Sequence, residues 1–557
     1  MKMATHVVTR QEWRWVLVCA VLVMAFTSVP YLMGWRVATA TGLTFGGFVL
    51  GVEDGNSYLA KMAQGARGEW LFHIVYTSEE HEGAFFFPFH LLLGKAAALL
   101  PGAQTSLTLR LIWTYHAARL ACGLLLLTVV YRFIARMIGP VPLRRFAWWM
   151  VAVGGGLGWL LVAAGRDNWL GSPPLDFILP EGFTFLTLFA LPHICLARAL
   201  MLGGLLLWFE GVGINELDGA VTAGRWRNAL AAGLLWLVMG LIVPFYVAVV
   251  GAVIVATMVL VVFLARGDAR LGRVFLAGMW ARSAAAGMIA LPVVLYAAWV
   301  FLNNPVMRGW SAQNLILSPP AAHYVAAYLV PGILALAGLR RMWRERPGWG
   351  HWLLVAWVLV VPVLLYAPFN LQRRLIEGYQ LPLYTLAAWG AEGWLSRRNA
   401  GWVLKWGLAT LMVPTCLMLV AGGVLVVRQP RAPVFHSPAQ IALAEWLTEH
   451  AHSNALVLSS YPVGNFLPAW SHVRSYWGHG PETIDLARKR ENAVRFYLAG
   501  EDAGWRANLI ESNRIQYVVW GPFEQELTAR FDADLPSLEL VWQFADWTLY
   551  AVGASDG

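Results

Sequence analysis

Two groups of charged side chains sit where an apolar chain should not put them. The stretch "GVEDGNSYLAKM", residues 51–62, places the adjacent carboxylates Glu53 and Asp54 directly after the apolar "TFGGFVLG", with Lys61 one to two helical turns later. Residues 40–83 go on to carry Glu69, His73, Glu79, Glu80, His81 and Glu82, interleaved with apolar side chains as in "GEWLFHIVY". Such a segment is too long for a plain connector. Its interleaving predicts short helices lying along a membrane surface; the plain alternative is a solvated amphipathic loop. A carboxylate held at an apolar edge is costly and tends to be functional. The chemistry it offers is that of a base for a hydroxyl proton.

The second group is "FNLQRRLIEGYQLPL", residues 369–383, with Arg373, Arg374 and Glu377. A guanidinium is a planar fork that matches phosphate at two points, so the arginine pair reads as a phosphate site. The alternative is a salt bridge to Glu377 or to the first acidic segment. A third stretch, "LDFILPEGFTFLTLFALPHICLARAL", opens an apolar helix at Glu181 and interrupts it at Pro192 and His193. Proline inside a span is tolerated where the helix lines a cavity. At 1.5 Å per residue His193 lies about 18 Å along the axis from Glu181, so the two need not touch; His193 reads equally well as a satisfied core histidine. In "TYHAARLACG", His116 and Arg119 are one turn apart, and Arg119 in an apolar span should face a cavity or the interface. No phosphate-binding glycine loop, zinc-protease motif or serine elbow stands in a convincing context. "GGGLG", residues 154–158, reads as a place where helices pack closely.

The elements that must position these groups are membranous. Of 557 residues 58% are hydrophobic and only 13% charged, about half the charge of a soluble globular protein, which carries about 25%. Apolar blocks of spanning length recur from residues 13–34 to 403–427, and 85–100 reads as a short or re-entrant segment, giving about 11 to 13 spans. The run 15–34 is too long for a cleaved secretory signal and reads as a first transmembrane helix with a cytoplasmic N-terminus. Cys19, Cys122, Cys195 and Cys416 all lie in apolar segments, which argues against a disulfide framework or a cysteine zinc site. Basic loops at Arg132, Arg136, Arg144 and Arg145, at Arg266, Arg270 and Arg273, at Arg340, Arg341, Arg344 and Arg346, and at Arg397 and Arg398 belong in the cytoplasm by the positive-inside rule. That orientation puts the acidic segment, Arg373–Arg374 and everything after Arg428 outside.

Beyond Arg428 the composition changes. Residues 429–557 hold 15 Asp and Glu against 9 Lys and Arg, a net of −6 in a chain of net +9. "SPAQIALAEWLTEHA" predicts a helix capped by Ser437, "ALVLSS" and "IQYVVWG" predict strands, "ETIDLARKRENAVRFYLAG" a helix between them, and "LELVWQFADWTLYAV" a terminal hairpin. The expected fold is mainly α: a polytopic transmembrane helix bundle over 1–428, with a long first outer loop at 36–84, and an extracytoplasmic α/β domain over 429–557.

One span, an acidic first outer loop, many further spans and an outer α/β domain resemble the GT-C superfamily of membrane glycosyltransferases, in the manner of protein mannosyltransferases and ArnT. "VEDGNSY" matches the acidic motif of that family in place and character, although the order here is Glu-Asp where protein mannosyltransferases carry Asp-Glu. "LVLSSYPVGNFLPAWSHVRSYWGHGPET" and "RIQYVVWGPFE" resemble the outer domain of bacterial proteins of this type. The resemblance implies transfer of a sugar from a polyprenyl-phosphate-linked donor to an acceptor on the extracytoplasmic face of the cell membrane. Asp54, with Glu53 beside it, takes the catalytic position; Arg373 and Arg374 take the carrier phosphate. Lys61, Tyr58, Glu80, His81, Arg119, Glu181, His193 and Glu377 are the further candidates for substrate binding, and the two charged pairs are expected to share a cavity. Lys61 serves either the phosphate or Glu53. A divalent metal on Glu53, Asp54 and Glu80 is compatible with these side chains but not demanded by them. The partners implied are the lipid-linked donor and membrane lipids, with no nucleic acid and the acceptor left open. A non-catalytic scaffold on the same fold and a secondary transporter are the competing readings; a transporter usually shows repeated halves and lacks an outer domain.

Overall fold

The computed structural model describes residues 7–101, 107–213, 224–264, 273–345, 348–395, 398–498, 500–528 and 538–553. Arg266, Arg270, Arg346 and Arg397, which carry part of the expected basic-loop pattern, lie outside them. Among the described residues seven helices are long and apolar enough to cross a membrane: Arg10–Thr41, Leu107–Met137, Pro192–Val212, Tyr246–Leu264, Val274–Asn303, Ala321–Glu345 and Val403–Val427. Two shorter apolar helices, Trp226–Ile242 and Trp349–Leu364, accompany them. The bundle with a small C-terminal sheet region is the expected architecture.

Several expected spans are broken, for local reasons. The block at 146–164 is split into helices Val141–Val153 and Gly158–Ala163. Between them the glycine run leaves helical geometry: Gly155 donates its N–H to the Met412 carbonyl at 2.6 Å, and a Cβ on Gly156 would meet the backbone of Ala327. The glycines do allow close approach, but by ending a helix rather than by lining one. The block at 183–209 becomes Thr184–Ala190 and Pro192–Val212, because Pro192 has no N–H to continue the first helix and starts the second well. Helix Pro88–Ala98 has 11 residues, about 16 Å at 1.5 Å per residue, too short to cross.

By contacts the chain divides into two compact units: Met1–Val29, Ala118–Trp299 and Leu315–Gly422 in one, and Pro30–Ala117, Val300–Asn314 and Gly423–Gly557 in the other. The first is helical and holds buried ion pairs. Arg144 meets Glu12 at 3.0 Å, and Glu12 also accepts from the Tyr131 hydroxyl at 2.7 Å.

The second unit contains the sheet. Its strand order is Arg474–Ser475, Leu456–Leu458, Tyr517–Trp520, Trp547–Val552, Leu538–Phe544. The first three strands are parallel and the last two form an antiparallel hairpin. Alternation along the strands builds two cores, since successive side chains point to opposite faces. Val457, Val519 and Leu549 pack with Leu443 and Leu447 of helix Pro438–His450 and with Val463 and Phe466 of helix Tyr461–Trp470. Leu456, Leu458 and Val518 pack on the other side with Phe496 of helix Leu486–Tyr497 and with Leu509 and Ile510 of helix Ala503–Asn513. Ser437 caps its helix as expected, its hydroxyl accepting from the Gln440 N–H at 3.1 Å. In the same unit helix Val52–Ala66 crosses helix Pro88–Ala98 at two glycines. A Cβ on Gly65 or Gly94 would strike the opposing backbone, so the crossing is as close as main chains allow.

Candidate active site

The acidic pair opens a helix. Gly51, with φ 60 and ψ 47, turns the chain in a left-handed conformation that glycine adopts freely, and Glu53 and Asp54 follow in the first turn of helix Val52–Ala66. Carboxylates there face the positive end of the helix dipole. The two then diverge in environment.

Glu53 is held from several sides. Its Oε1 accepts the Gly480 N–H at 2.7 Å and the Tyr461 hydroxyl, while its own carbonyl accepts from Asn465 Nδ2 at 3.3 Å. Burial pushes the Tyr461 phenol well above its ordinary value, and the bond to Glu53 pushes it further, so Tyr461 stays a donor. Asn465 also accepts from Asn56 Nδ2 at 2.8 Å and, through its carbonyl, from the Tyr76 hydroxyl at 3.2 Å.

Asp54 reaches outward. Its Oδ1 lies 3.2 Å from His479 Nε2, with the aspartate side chain 62% exposed and the histidine 5%. His479 stands in the loop "WGHGPET", which is pinned by Thr483: that hydroxyl accepts the N–H groups of Gly478 at 3.2 Å and His479 at 3.3 Å. The Tyr76 ring packs against the imidazole, centroids 5.5 Å apart. On the far side of the ring, His479 Nδ1 is 3.9 Å from Glu482 Oε1, beyond hydrogen-bond range. With Asp54 the only acceptor of the two in reach, the proton belongs on Nε2 and is donated to Asp54.

Glu482 belongs to Lys61. Lys61 Nζ meets its Oε1 at 2.6 Å, with side chains 2% and 5% exposed; Ser57 donates to the same oxygen at 2.8 Å. Burial would raise the Glu482 carboxyl, but Lys61, His479 and the two hydrogen bonds outweigh it, so its pKa lies below the ordinary value. Phe87, Phe72 and Tyr58 surround the ammonium at 4.6, 5.2 and 5.9 Å from their centroids. Lys61 therefore neither pairs with Glu53 nor reaches out as an open cation.

The remaining candidates of this unit are placed as follows. Tyr58 stacks on His90, centroids 4.9 Å apart. His81 accepts the Ile74 N–H at Nε2, 2.9 Å, and donates from Nδ1 to the Glu79 carbonyl, 3.0 Å; burial pushes its pKa down, which fits a neutral ring that fixes a turn. Glu80 pairs with Arg514 at 3.0 Å. Among the described residues no three His, Cys, Asp or Glu side chains come together to hold a metal ion. Glu80 is spent on Arg514, so the set Glu53, Asp54 and Glu80 does not fit one.

In the first unit Arg119 donates to Thr27 Oγ1 at 2.9 Å and Ser28 Oγ at 2.7 Å. Glu377 is fully buried against Arg198. Arg198 also donates to the carbonyls of Pro180 and Glu181, each at 2.9 Å, which fixes the "PEG" turn. Glu181 in turn pairs with Arg374 at 3.6 Å. Arg373 differs: its Nε is buried with no hydrogen-bond partner, and burial pushes its pKa below the ordinary guanidinium value more than Glu181 restores it. His193 sits half-buried at the start of helix Pro192–Val212. The acidic pair and the arginine pair thus belong to different units.

Sequence reasoning missed His479, Glu482, Tyr461 and Arg198. The signal for Arg198 was available, as an arginine in the apolar run "ICLARALML".

No protein-family model matches the chain, and no curated protein matches it in sequence. Solved structures resemble it. The apo oligosaccharyltransferase of Archaeoglobus fulgidus matches with a TM-score of 0.56 at 12% identity, covering 97% of this chain and 75% of that one. The oligosaccharyltransferase AglB from the same organism, with an inhibitory peptide and a dolichol-phosphate, matches at 0.55 and 13% identity, covering 98% and 75%. The mycobacterial arabinofuranosyltransferase AftD matches at 0.54 and 16% identity, covering 99% of this chain and 42% of that one. All are GT-C membrane glycosyltransferases, and theirs is the fold of this chain.

Proposed function

We propose that this multi-pass membrane protein of GT-C fold transfers a sugar from a polyprenyl-phosphate-linked donor to an acceptor hydroxyl on the extracytoplasmic face. The observation that carries the reading is Asp54: an exposed carboxylate at a helix N-terminus, oriented from beneath by a buried histidine at 3.2 Å. The AglB structure contains a dolichol-phosphate, which supports a lipid-linked donor here.

In the step proposed, the acceptor oxygen bonds to the anomeric carbon and gives its proton to Asp54. The bond from that carbon to the phosphate oxygen breaks, and its electron pair leaves with the phosphate. A lipid phosphate leaves readily, so the chain must supply mainly a base and charge stabilisation. Gly480 and Tyr461 hold the Glu53 carboxylate, whereas the Asp54 side chain is 62% exposed, which favours Asp54 as the base. His479 is a positioning residue: it donates to Oδ1 and so orients the exposed carboxylate. Arg373, with its unbonded Nε, and Arg374 are assigned to the carrier phosphate. The test is transfer of radiolabelled sugar from defined polyprenyl-phosphate sugars by the purified full chain, with Asp54→Asn as control. Absence of transfer from every such donor to mixed acceptors would leave the fold without this activity.

A further inference from the structure

The second unit also holds a cavity that the transfer reading leaves unused. Its volume is about 900 Å³, and it is lined by residues of the segment 69–81 and by the sheet and the helix end at Arg514. That volume suits a small molecule. Ile510 and Val552 contribute apolar wall; Glu69 and Glu80 line it already paired, with Arg67 and His73 and with Arg514, and Arg474, Glu511 and Gln516 contribute further polar groups.

Arg474 is an unpaired cation. Its Nε donates to the Asn454 carbonyl at 3.1 Å, and among the described residues no carboxylate is within ion-pair distance of it. Burial pushes its pKa below the ordinary guanidinium value, more than Glu80 and Glu79 restore. Those carboxylates are engaged elsewhere: Glu80 with Arg514 at 3.0 Å, and Glu79 with Lys489. The terminal guanidinium N–H groups are left with donors to spend. Gln516 uses its Oε1 on the Leu456 N–H at 3.1 Å, which leaves its amide N–H groups. The Glu511 carboxylate has no partner among the described residues.

One cavity thus presents a guanidinium, an amide donor and a carboxylate acceptor that the described residues leave uncommitted. The guanidinium asks for an anion at two points. The amide and the carboxylate ask for groups that both accept and donate, which hydroxyls do. We propose that this cavity binds a hydroxyl-rich anion, a short sugar-acid or sugar-phosphate segment, with its charge at Arg474 and its hydroxyls at Glu511 and Gln516. The site is independent of the transfer step, since Arg474 and Glu511 take no part in it.

The experiment is ligand binding to the purified full chain in detergent, read by saturation-transfer NMR and titration calorimetry. The probes are glucuronate, glucose 6-phosphate, glucose and inorganic phosphate. Glucuronate and glucose 6-phosphate should bind at least about tenfold more tightly than glucose, as a charge-assisted contact requires. Arg474→Gln should remove that advantage. Glu511→Ala, which cuts no side-chain hydrogen bond or ion pair among the described residues, should weaken both sugar anions and spare phosphate; it keeps the test open where Arg474→Gln lowers the thermal midpoint. The proposal is overturned if glucose binds as well as glucuronate, if phosphate binds as well as glucose 6-phosphate, or if neither substitution changes binding.

Discussion

His479 Nε2 lies 3.2 Å from Asp54 Oδ1, across 425 residues of sequence. The C-terminal α/β segment thereby supplies the group that orients a carboxylate near the N-terminus. If that contact sets the position of the base, His479→Ala should lower kcat by about 10²-fold, the cost of a base misplaced by about 1 Å, with KM for the donor nearly unchanged. Added imidazole should restore part of the rate, which a merely structural histidine would not allow. Steady-state transfer kinetics with and without imidazole check this.

Asp54→Asn keeps the shape and removes the charge that accepts a proton. Turnover should fall by about 10²–10⁴-fold with carrier binding nearly intact. Glu53→Gln should behave otherwise, because Glu53 serves as an acceptor for Gly480 and Tyr461. Its loss should appear as a lowered thermal midpoint and a smaller rate defect. Equal rate defects for the two would mean that the pair, not Asp54 alone, carries the proton.

The charge pattern that mattered was partly legible. Glu53 and Asp54 stood out because they are expensive beside an apolar run, and strands such as "ALVLSS" and "IQYVVWG" were legible by composition, emerging as Leu456–Leu458 and Tyr517–Trp520. What a single sequence does not show is pairing across long separations. Lys61 lies close to Glu53 in sequence, yet its partner is Glu482, 421 residues away: eight residues put Lys61 about 12 Å along the helix axis from Glu53, while the fold brings Glu482 directly against it. His479 lies between glycines in a polar loop, where its type alone signals nothing. Arg119 reads as costly in its apolar span and Glu377 as an alternative salt-bridge partner of the arginine pair; the partners found are Thr27 and Ser28 for Arg119 and Arg198 for Glu377.

Arg373→Ala should weaken binding of the polyprenyl-phosphate donor as well as slow transfer, because a contact to phosphate acts in the ground state too. The lost contact is worth about 1.5–3 kcal/mol. Arg374→Ala should cost less in binding, since Arg374 already shares its charge with Glu181 at 3.6 Å. Arg373→Lys should rescue only in part, for an ammonium cannot make the planar two-point contact. Donor titration against each purified variant measures all three.

Lys61→Met strands the Glu482 carboxylate in a buried site. Loss of one partner of a buried pair costs about 3–5 kcal/mol, so the unfolding midpoint in detergent should drop sharply. The double variant Lys61→Met with Glu482→Gln should recover most of that loss. The fraction that folds should bind the donor as the parent chain does, since Lys61 is enclosed by Phe87, Phe72 and Tyr58. Weaker donor binding by a folded Lys61→Met chain would return Lys61 to the phosphate.

Glu524 and His436 set opposing pH dependences in the same unit. Glu524 accepts the Ser460 N–H at 2.7 Å and the Gly521 N–H at 2.9 Å, and burial pushes its carboxyl from 4.5 up to about 7. Between those values the folded chain holds a proton that the unfolded chain has released, so stability falls as pH rises, by about 3 kcal/mol over the window. His436 is pushed down by burial from 6.5 to about 4. There the unfolded chain binds the extra proton, so stability rises with pH over most of the same range. The two nearly cancel in the parent chain, and the readout must be a difference. Glu524→Gln removes the first effect alone. Its stability relative to the parent should therefore climb steadily from pH 4.5 to 7 in denaturant titrations and then level off. A difference that stays flat across that window would mean Glu524 ionises in the folded protein as it does in the unfolded one.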